Sequence, residues 1–245
     1  MQTVPTKFLR SMVALRRIPD TYTMISECTL IHDARNEFAS YAIIHGFDRV
    51  LWLDSDMTFP DDLLIRLNDT MDRTGAPMVT ALCFKRVLPT VPVIYSDLRR
   101  ETDDLTGATY IKPTIMTDYP RSSVFPVAAC GFGAVLTEVS LLKDVWDKYG
   151  IPPFAYHMNL GEDLSFCWRV RQSDRTILCD SNILTGHVGT IVFGEDTYLG
   201  QVAAGQATPS QPAHQPNRLQ GHGHSEDSTV TPSDGHSQPS GGPGK

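Results

Sequence analysis

The chain has 245 residues, of which 41% are hydrophobic and 20% are charged, and its formal net charge is -7. This composition is typical of a globular protein with one sizeable core, and the acidic balance gives no electrostatic reason to bind bulk nucleic acid. No run of about 18 apolar residues is present, and the N-terminus lacks the continuous apolar core of a signal peptide, so we expect no membrane span and a cytoplasmic location.

The predicted elements alternate between strands and helices, which indicates an α/β sheet covered by helices. In chain order they are helix 7–17, strand 21–28, helix 33–47 with Asp33 as N-cap, strand 49–56, helix 59–72 with Pro60 in its first turn, strands 76–84 and 91–96, a strand-turn-helix over 124–150, helix 162–172, and one or two strands over 176–189. Residues 97–126 are polar and uneven, which predicts loops and short edge strands.

The composition changes abruptly near Gly200, after which Gly, Pro, Ser, Gln and His predominate. Such a segment cannot bury enough apolar surface to offset its ordering entropy. We therefore predict a single domain over residues 1–199 and a disordered tail over residues 200–245.

The cysteines are widely spaced, form no CxxC pair and have apolar neighbours. We predict that all of them are reduced core residues. They are Cys28, Cys83, Cys130, Cys167 and Cys179.

Two carboxylates follow the apolar part of strand 49–56, in the sequence Leu-Asp-Ser-Asp-Met. Because side chains two residues apart share one face of a strand, we expect Asp54 and Asp56 to point to the same place at the edge of the sheet. Adjacent carboxylates repel each other unless a cation lies beside them, and hard oxygen ligands suit Mg²⁺ or Mn²⁺. The pair indicates a metal site, and a turn or helix cap is the alternative.

Two further segments could line the same cleft. Arg35 and Asn36 stand near the start of helix 33–47, where a guanidinium can meet a phosphate or a base edge; a surface arginine and a capping asparagine are the alternative. Gly131 and Gly133 bracket a turn at which the backbone could approach a ligand closely or simply bend.

An acidic pair and a histidine complete the candidates. Glu162 and Asp163 begin helix 162–172, a position where acids also cap helices. If Asp163 faces the cleft, it could accept a proton from an attacking hydroxyl, which is worth roughly 10² to 10⁴ in rate. His187, between Gly186 and Gly189, could complete a metal shell or serve a structural role.

Taken in chain order, these segments resemble glycosyltransferases of the GT-A fold, particularly the family 2-like enzymes of bacteria and their phages. The matching segments are "ARN", "LWLDSDMTFP", "GFGAVL", "GEDLSFCWR" and "GH". The match runs from about Thr21 to Gly189. It implies a Rossmann-like mixed sheet flanked by helices, in a single domain.

The resemblance also implies a metal-dependent transferase. Its donor would be a nucleotide-sugar, in the first place a UDP-sugar, and the sugar would pass to an acceptor hydroxyl with inversion. Mn²⁺ or Mg²⁺ would be bound by Asp56 and His187, with Asp54 sharing the metal or touching the donor. Asp163 of the Glu162-Asp163 pair would be the catalytic base. The acceptor is unknown.

The sequence departs from the family at its start, where the first strand is reduced to at most "MQTVPT". Thr3 and Pro5 would occupy the turn that cradles the nucleotide in the family. The residues expected at the donor are therefore Thr3, Pro5, Arg35, Asn36, Asp54, Gly131 and Gly133.

Two alternatives come from other classes. Asp-Ser-Asp-Met-Thr also fits the DxDxT of haloacid dehalogenase-type phosphatases, in which the first Asp is a nucleophile and a downstream Lys and acidic pair are required. Lys85 and the Glu162-Asp163 pair could fill those roles, but "ARN" and "GHVG" would remain unexplained. The second alternative is a protein that binds a nucleotide-sugar without turning it over.

Overall fold

A computed structural model of the chain describes residues 3–27 and 29–206. The helices of this part are α1 (Thr6–Ala14), α2 (Ile31–Ile44), α3 (Leu63–Thr74), α4 (Val139–Tyr149), α5 (Glu162–Arg171) and α6 (Glu195–Ala203). Its strands are β1 (Arg49–Leu53), β2 (Met57–Thr58), β3 (Met78–Leu82), β4 (Ile94–Thr102), β5 (Thr109–Ile115), β6 (Val124–Val127), β7 (Ala129–Cys130), β8 (Ala134–Glu138), β9 (Ile177–Leu184), β10 (Gly186–Val188) and β11 (Val192–Phe193).

A mixed sheet with the strand order β1-β8-β3-β9-β6 forms the centre of the described part. Strands β3 and β9 are parallel, whereas β8 is antiparallel to its neighbours β1 and β3. Two smaller sheets have the orders β11-β10-β2 and β5-β4-β7. The predicted α/β class, a mixed sheet flanked by helices, is confirmed, and the arrangement is compatible with a GT-A-like fold.

Alternate residues of β3 belong to two separate hydrophobic clusters. Met78 and Leu82 pack in the cluster that contains residues of α2, α4 and α5, and Val79 and Ala81 pack in the cluster that contains residues of α3. Because successive side chains of a strand point to opposite faces, the sheet is buried on both sides. A sheet covered in this way presents its strand ends, rather than its faces, to ligands.

Two helices end at a glycine, as a helix C-terminus commonly does. Gly75 and Gly150 follow α3 and α4 with φ of 68° and 64°, a left-handed conformation that glycine adopts without steric cost. The helix starts differ from the prediction: α2 begins at Ile31 with Leu30 at the N-cap, not Asp33, and α3 begins at Leu63, three residues after Pro60. Asp33 instead lies in the first turn of α2.

The strand prediction for residues 21–28 is wrong over the described part of that range. Residues 21–27 belong to no strand, and Ile25 is 79% exposed. The alternation of side chains fits a strand, but a strand forms only where a neighbouring chain can accept its backbone hydrogen bonds. Conversely, much of the 97–126 segment is regular, since β4 and β5 form a long hairpin.

Two other predictions concern the domain boundary and the cysteines. Helix α6 ends at Ala203, beyond the predicted boundary at residue 199; residues 207–245 lie outside the described residues, so the tail stays a prediction. Cys83, Cys130, Cys167 and Cys179 are free and buried, as predicted, and Cys28 lies outside the described residues. None of the described helices has the length and apolar character needed to cross a membrane.

Candidate functional site

A cavity of about 400 Å³ lies where the parallel strands β1, β3 and β9 reach their carboxyl ends. Ligands of open α/β sheets bind at this edge. The side chains and backbone that line the cavity come from several separate segments of the chain. They include Arg35, Asp54, Lys85, Arg86, Gly131, Gly133, Glu162, Asp163 and His187.

Arg35 joins two of the acidic segments at this cavity. Its Nη2 donates to Asp54 Oδ1 at 2.9 Å and its Nη1 donates to Glu162 Oε1 at 2.7 Å, and its side chain is only 7% exposed. The guanidinium also lies 5.0 Å from the centroid of the Phe132 ring. Burial raises the pKa of Asp54 above its ordinary value, and the charge of Arg35 opposes that rise.

Asp56 has different partners from Asp54. Its Oδ2 accepts from Arg86 Nη1 at 2.6 Å and lies 3.0 Å from His187 Nε2. Burial favours a higher pKa for Asp56, but the hydrogen bond and charge of His187 and the charge of Arg86 outweigh it and hold the pKa below its ordinary value. The expectation that Asp54 and Asp56 share one strand face is therefore corrected: β1 ends at Leu53, and a turn closed by Met57 N–H and Asp54 O, 3.2 Å apart, separates the two side chains.

Backbone pairing brings His187 to Asp56. Gly186 pairs with Thr58 and His187 with Met57 across β10 and β2, and the Val188 N–H donates to Asp56 O at 2.7 Å. On the imidazole, Nδ1 donates to Phe84 O at 3.0 Å, because a carbonyl oxygen can only accept. This bond directs Nε2 at the Asp56 carboxylate, and the hydrogen bond with Asp56 raises the pKa of His187.

Nε2 of His187 can face a carboxylate stably in only two states: it carries a proton, or its lone pair meets a cation held between the two groups. A histidine whose Nδ1 donates to a backbone carbonyl while Nε2 faces a second ligand is the usual arrangement of a metal-binding imidazole. Within the described residues, however, no three His, Cys, Asp or Glu side chains are grouped closely enough to hold an ion. Asp56 and His187 fit a divalent ion as a pair, and Asp54, held by Arg35, lies apart from them.

Asp163 lies at the N-terminus of α5, next to Glu162. Burial and the negative charge of Glu162 raise the pKa of Asp163 to about 6, against the stabilising hydrogen bond from the Leu164 N–H to its Oδ1 at 2.7 Å. Its Oδ2 is 3.7 Å from the position that a Cβ on Gly131 would take, so the carboxyl faces the turn that lines the cavity. A carboxyl with this pKa is ionised at neutral pH and remains basic enough to accept a proton.

The other predicted donor residues fall into two groups. Gly131 and Gly133 line the cavity, and the Gly133 carbonyl accepts from Asp54 N–H at 3.2 Å. Thr3, Pro5 and Asn36 do not line it: Thr3 is exposed, Pro5 precedes α1, and Asn36 Oδ1 accepts from Phe154 N–H at 2.9 Å.

Arg86 at this site was not predicted, and Lys85 was assigned a role only in the phosphatase alternative. Both directly follow the predicted strand 76–84, which extends two residues beyond the end of β3 at Leu82, and both line the cavity. A pair of basic residues immediately after a buried strand is the sequence signal that identifies them, since the end of such a strand is where an α/β sheet binds ligands.

No family model matches the sequence, and no curated protein matches it. Among solved structures, the chain is similar to "A197 from STIV", with 14% identity, a TM-score of 0.49, and coverage of 75% of this chain and 78% of that chain. It is also similar to GalNAc-T7, solved with UDP, GalNAc and Mn²⁺, with 14% identity and a TM-score of 0.43. That match covers 65% of this chain and only 30% of GalNAc-T7. At these TM-scores neither likeness carries an argument about this chain, so the function is inferred from the residues of the site.

Proposed function

We propose that the protein is a metal-dependent glycosyltransferase that moves a sugar from a nucleotide-sugar, in the first place a UDP-sugar, to an acceptor hydroxyl with inversion. The observation that carries this proposal is that one cavity contains both a basic carboxyl, Asp163, and an imidazole, His187, whose Nε2 faces a second carboxylate. The resemblance found in the sequence supports the same assignment.

Asp56 and His187 would hold the divalent ion, Mn²⁺ or Mg²⁺. Two protein ligands are sufficient for such a site, because these ions commonly take their remaining ligands from water and substrate phosphate oxygens. The bound ion would stabilise the negative charge that develops on the departing nucleoside diphosphate.

Asp163 would be the catalytic base. Its pKa of about 6 allows it to remove a proton from the acceptor hydroxyl as that oxygen attacks the anomeric carbon and the bond to the diphosphate breaks. The proton then resides on the Asp163 carboxyl. Glu162 raises the basicity of Asp163 through its charge and is itself held by Arg35.

Arg35 has a positioning role in this scheme. Both of its terminal nitrogens are bonded to carboxylates, so it orients Asp54 and Glu162 rather than reaching the nucleotide. Asp54, which lines the cavity, would accept a hydrogen bond from a donor hydroxyl. Gly131 and Gly133 would let the donor approach the backbone.

The phosphatase alternative is less favoured by the same geometry. A nucleophilic Asp54 would need a free, ionised carboxylate, but its Oδ1 is engaged by Arg35 and burial raises its pKa. Trapping of a phosphorylated Asp54 would restore the phosphatase reading.

The test is release of free nucleotide from a panel of nucleotide-sugars in the presence of Mn²⁺. The wild-type protein should release nucleotide from at least one donor, and Asp56→Asn should reduce this release more than about 100-fold, since even residues behind a metal ligand contribute 10- to 100-fold to metal affinity. Asp163→Asn should retain donor binding and lose about 10² to 10⁴ in transfer rate.

Asp144→Asn is the matched control, because Asp144 pairs with Arg175 on the exposed side of α4. Its activity should equal that of the wild type. Binding of UDP with Mn²⁺ without release from any donor would identify a non-catalytic binding protein, and undiminished release by Asp56→Asn would contradict the metal assignment.

A further inference from the structure

The loop of residues 85–91 carries a cationic side chain to the proposed metal ligands. Its base is fixed: Lys85 N–H donates to Val91 O at 2.9 Å, and Thr90 Oγ1 donates to Lys85 O at 2.6 Å. Thr90 is fully buried, and its N–H donates to Gln201 Oε1 of α6 at 2.8 Å. The loop therefore holds its shape while Lys85, Arg86 and Val87 line the cavity.

Arg86 reaches Asp56 by packing its aliphatic stem on Gly189. A Cβ at Gly189 would lie 2.7 Å from Arg86 Cγ and 3.0 Å from Cδ, so only glycine leaves room for the stem. The guanidinium then donates to Asp56 Oδ2, the same oxygen that His187 Nε2 faces. Arg86 thus occupies the charge position that a divalent ion would take.

A guanidinium and a divalent ion cannot share that oxygen without strong repulsion between like charges. The ion pair is easily broken, because the Arg86 side chain is 51% exposed and exposed pairs are weak. Arg86 lines the cavity beside Lys85, and Asp56 is its one carboxylate partner among the described residues. A diphosphate in the cavity would offer it a new partner, since arginine binds phosphate oxygens in a bidentate manner.

We propose that Arg86 exchanges partners, from Asp56 in the metal-free protein to the diphosphate of the nucleotide when metal and nucleotide are both bound. This inference rests on the proposed function, because it takes Asp56 as a metal ligand and a nucleoside diphosphate as the ligand of the cavity. Arg86 then opposes metal alone and favours nucleotide with metal. Arg86 would thereby increase the coupling free energy between metal binding and nucleotide binding beyond what direct contact between the ion and the phosphates supplies.

The experiment measures binding to the full chain, with Mn²⁺ followed by electron paramagnetic resonance and UDP followed by calorimetry. Arg86→Gln should bind Mn²⁺ alone about threefold more tightly, as expected for losing a competing exposed ion pair. The same variant should bind UDP at saturating Mn²⁺ about tenfold more weakly, as expected for losing a charge-assisted hydrogen bond. Arg86→Lys should lie between Arg86→Gln and the wild type for both ligands.

Opposite effects on the two ligands distinguish this proposal from a purely structural role, which would weaken both. Arg99→Gln is the control, because Arg99 forms an exposed pair with Asp97 on β4 and should change neither affinity. If Arg86→Gln binds both ligands as the wild type does, or binds both more weakly, the Arg86 proposal is overturned.

The Asp56→Asn variant distinguishes failure of the Arg86 proposal from failure of the proposed function. If wild-type protein binds Mn²⁺ and Asp56→Asn does not, the metal site stands, whatever Arg86→Gln shows. If wild type binds no Mn²⁺ with or without UDP, the proposed function fails, and the Arg86 proposal fails with it.

Discussion

Arg35 is a buried cation shared by two carboxylates from distant segments. Asp54 and Glu162 belong to the end of β1 and the start of α5, and each contributes one oxygen to the guanidinium. The ring of Phe132 covers the same group. Buried ion pairs of this kind contribute little net stability, but removal of one partner leaves the others uncompensated.

Arg35→Met should therefore destabilise the protein by about 3 to 5 kcal/mol at pH 7. The loss should shrink as the pH falls toward about 4, because burial raises the pKa of Asp54 and its protonation removes a charge that Arg35 neutralises. Urea unfolding at the two pH values measures both quantities. Arg99→Met, an exposed arginine, should change the free energy of unfolding by less than about 0.5 kcal/mol. An equal loss at both pH values would show that packing, rather than charge, is what Arg35 contributes.

Asp163 combines a proposed catalytic role with a cost to stability. Its pKa in the folded protein, about 6, lies above the ordinary value of 3.8, because burial and Glu162 disfavour the charged form. The folded state therefore holds the proton more tightly than the unfolded state does. The resulting cost is absent below about pH 4, grows as the pH rises, and is fully present above about pH 6.

Asp163→Asn should consequently be more stable than the wild type at pH 8, by at most about 3 kcal/mol before solvent screening is considered. The asparagine Oδ1 can still accept the Leu164 N–H bond. The difference in melting temperature should disappear as the pH falls to about 4. A melting temperature that is unchanged at pH 8, or lower, would mean that the Asp163 carboxyl is not destabilised in the folded state. Asp144→Asn provides the pH control.

The pairing of β10 with β2 is the element that sets the distance between His187 and Asp56. Gly186 has no room for a side chain at this pairing: an added Cβ would lie 2.4 Å from Val192 Cγ1 and 2.5 Å from Thr58 Oγ1. Both contacts are too short for any real Cβ. The glycine is therefore required by close approach of the strands, and His187 depends on it for its position.

Gly186→Ala should push β10 away from β2 and separate the two proposed metal ligands. We expect a loss of about 1 to 3 kcal/mol in stability, typical of overpacking, and weaker Mn²⁺ binding measured by electron paramagnetic resonance. Gly200→Ala is the matched control: it lies in α6 with nothing near its Cβ position, so it should leave Mn²⁺ binding unchanged and raise stability by about 0.5 to 1 kcal/mol. Normal Mn²⁺ affinity in folded Gly186→Ala would show that His187 does not need this pairing.

At the scale of the whole molecule, the stability of the described residues rests on two clusters, one on each face of the central sheet. Both clusters are built from residues between Phe8 and Leu199. Beyond Gln206, Leu219 and Val230 are the only large aliphatic residues of the sequence. Composition therefore predicts that this segment adds little to the core.

A chain that ends after Gln206 should melt within about 2 °C of the full chain, since loss of even 1 kcal/mol shifts the melting temperature of a domain of this size by about 2 to 4 °C. Circular dichroism of the two proteins side by side measures the difference. A decrease of more than about 5 °C would contradict the compositional prediction of a tail that does not pack.

The sequence alone determined the α/β class and the burial of the four described cysteines, and its resemblance to GT-A glycosyltransferases implied the mixed sheet flanked by helices. It also singled out Arg35, Asp54, Gly131, Gly133, Glu162, Asp163 and His187, which line one cavity and whose roles there stay predictions. The class and the buried cysteines follow from local information, because periodicity reports which face of an element is buried, and the candidate residues follow because ligands bind at the carboxyl ends of strands.

Only the tertiary structure decided which charged groups meet. Arg35 and Glu162 are 127 positions apart, and Asp56 and His187 are 131 apart, so no local pattern contains either pair. The same applies to residues 21–27, whose alternation suits a strand but which pair with no strand of the described part of the chain, and to Arg86, which reaches Asp56 because Gly189 leaves space for its stem. Hydrogen bonds and ion pairs depend on distances across the fold, and a one-dimensional pattern does not contain those distances.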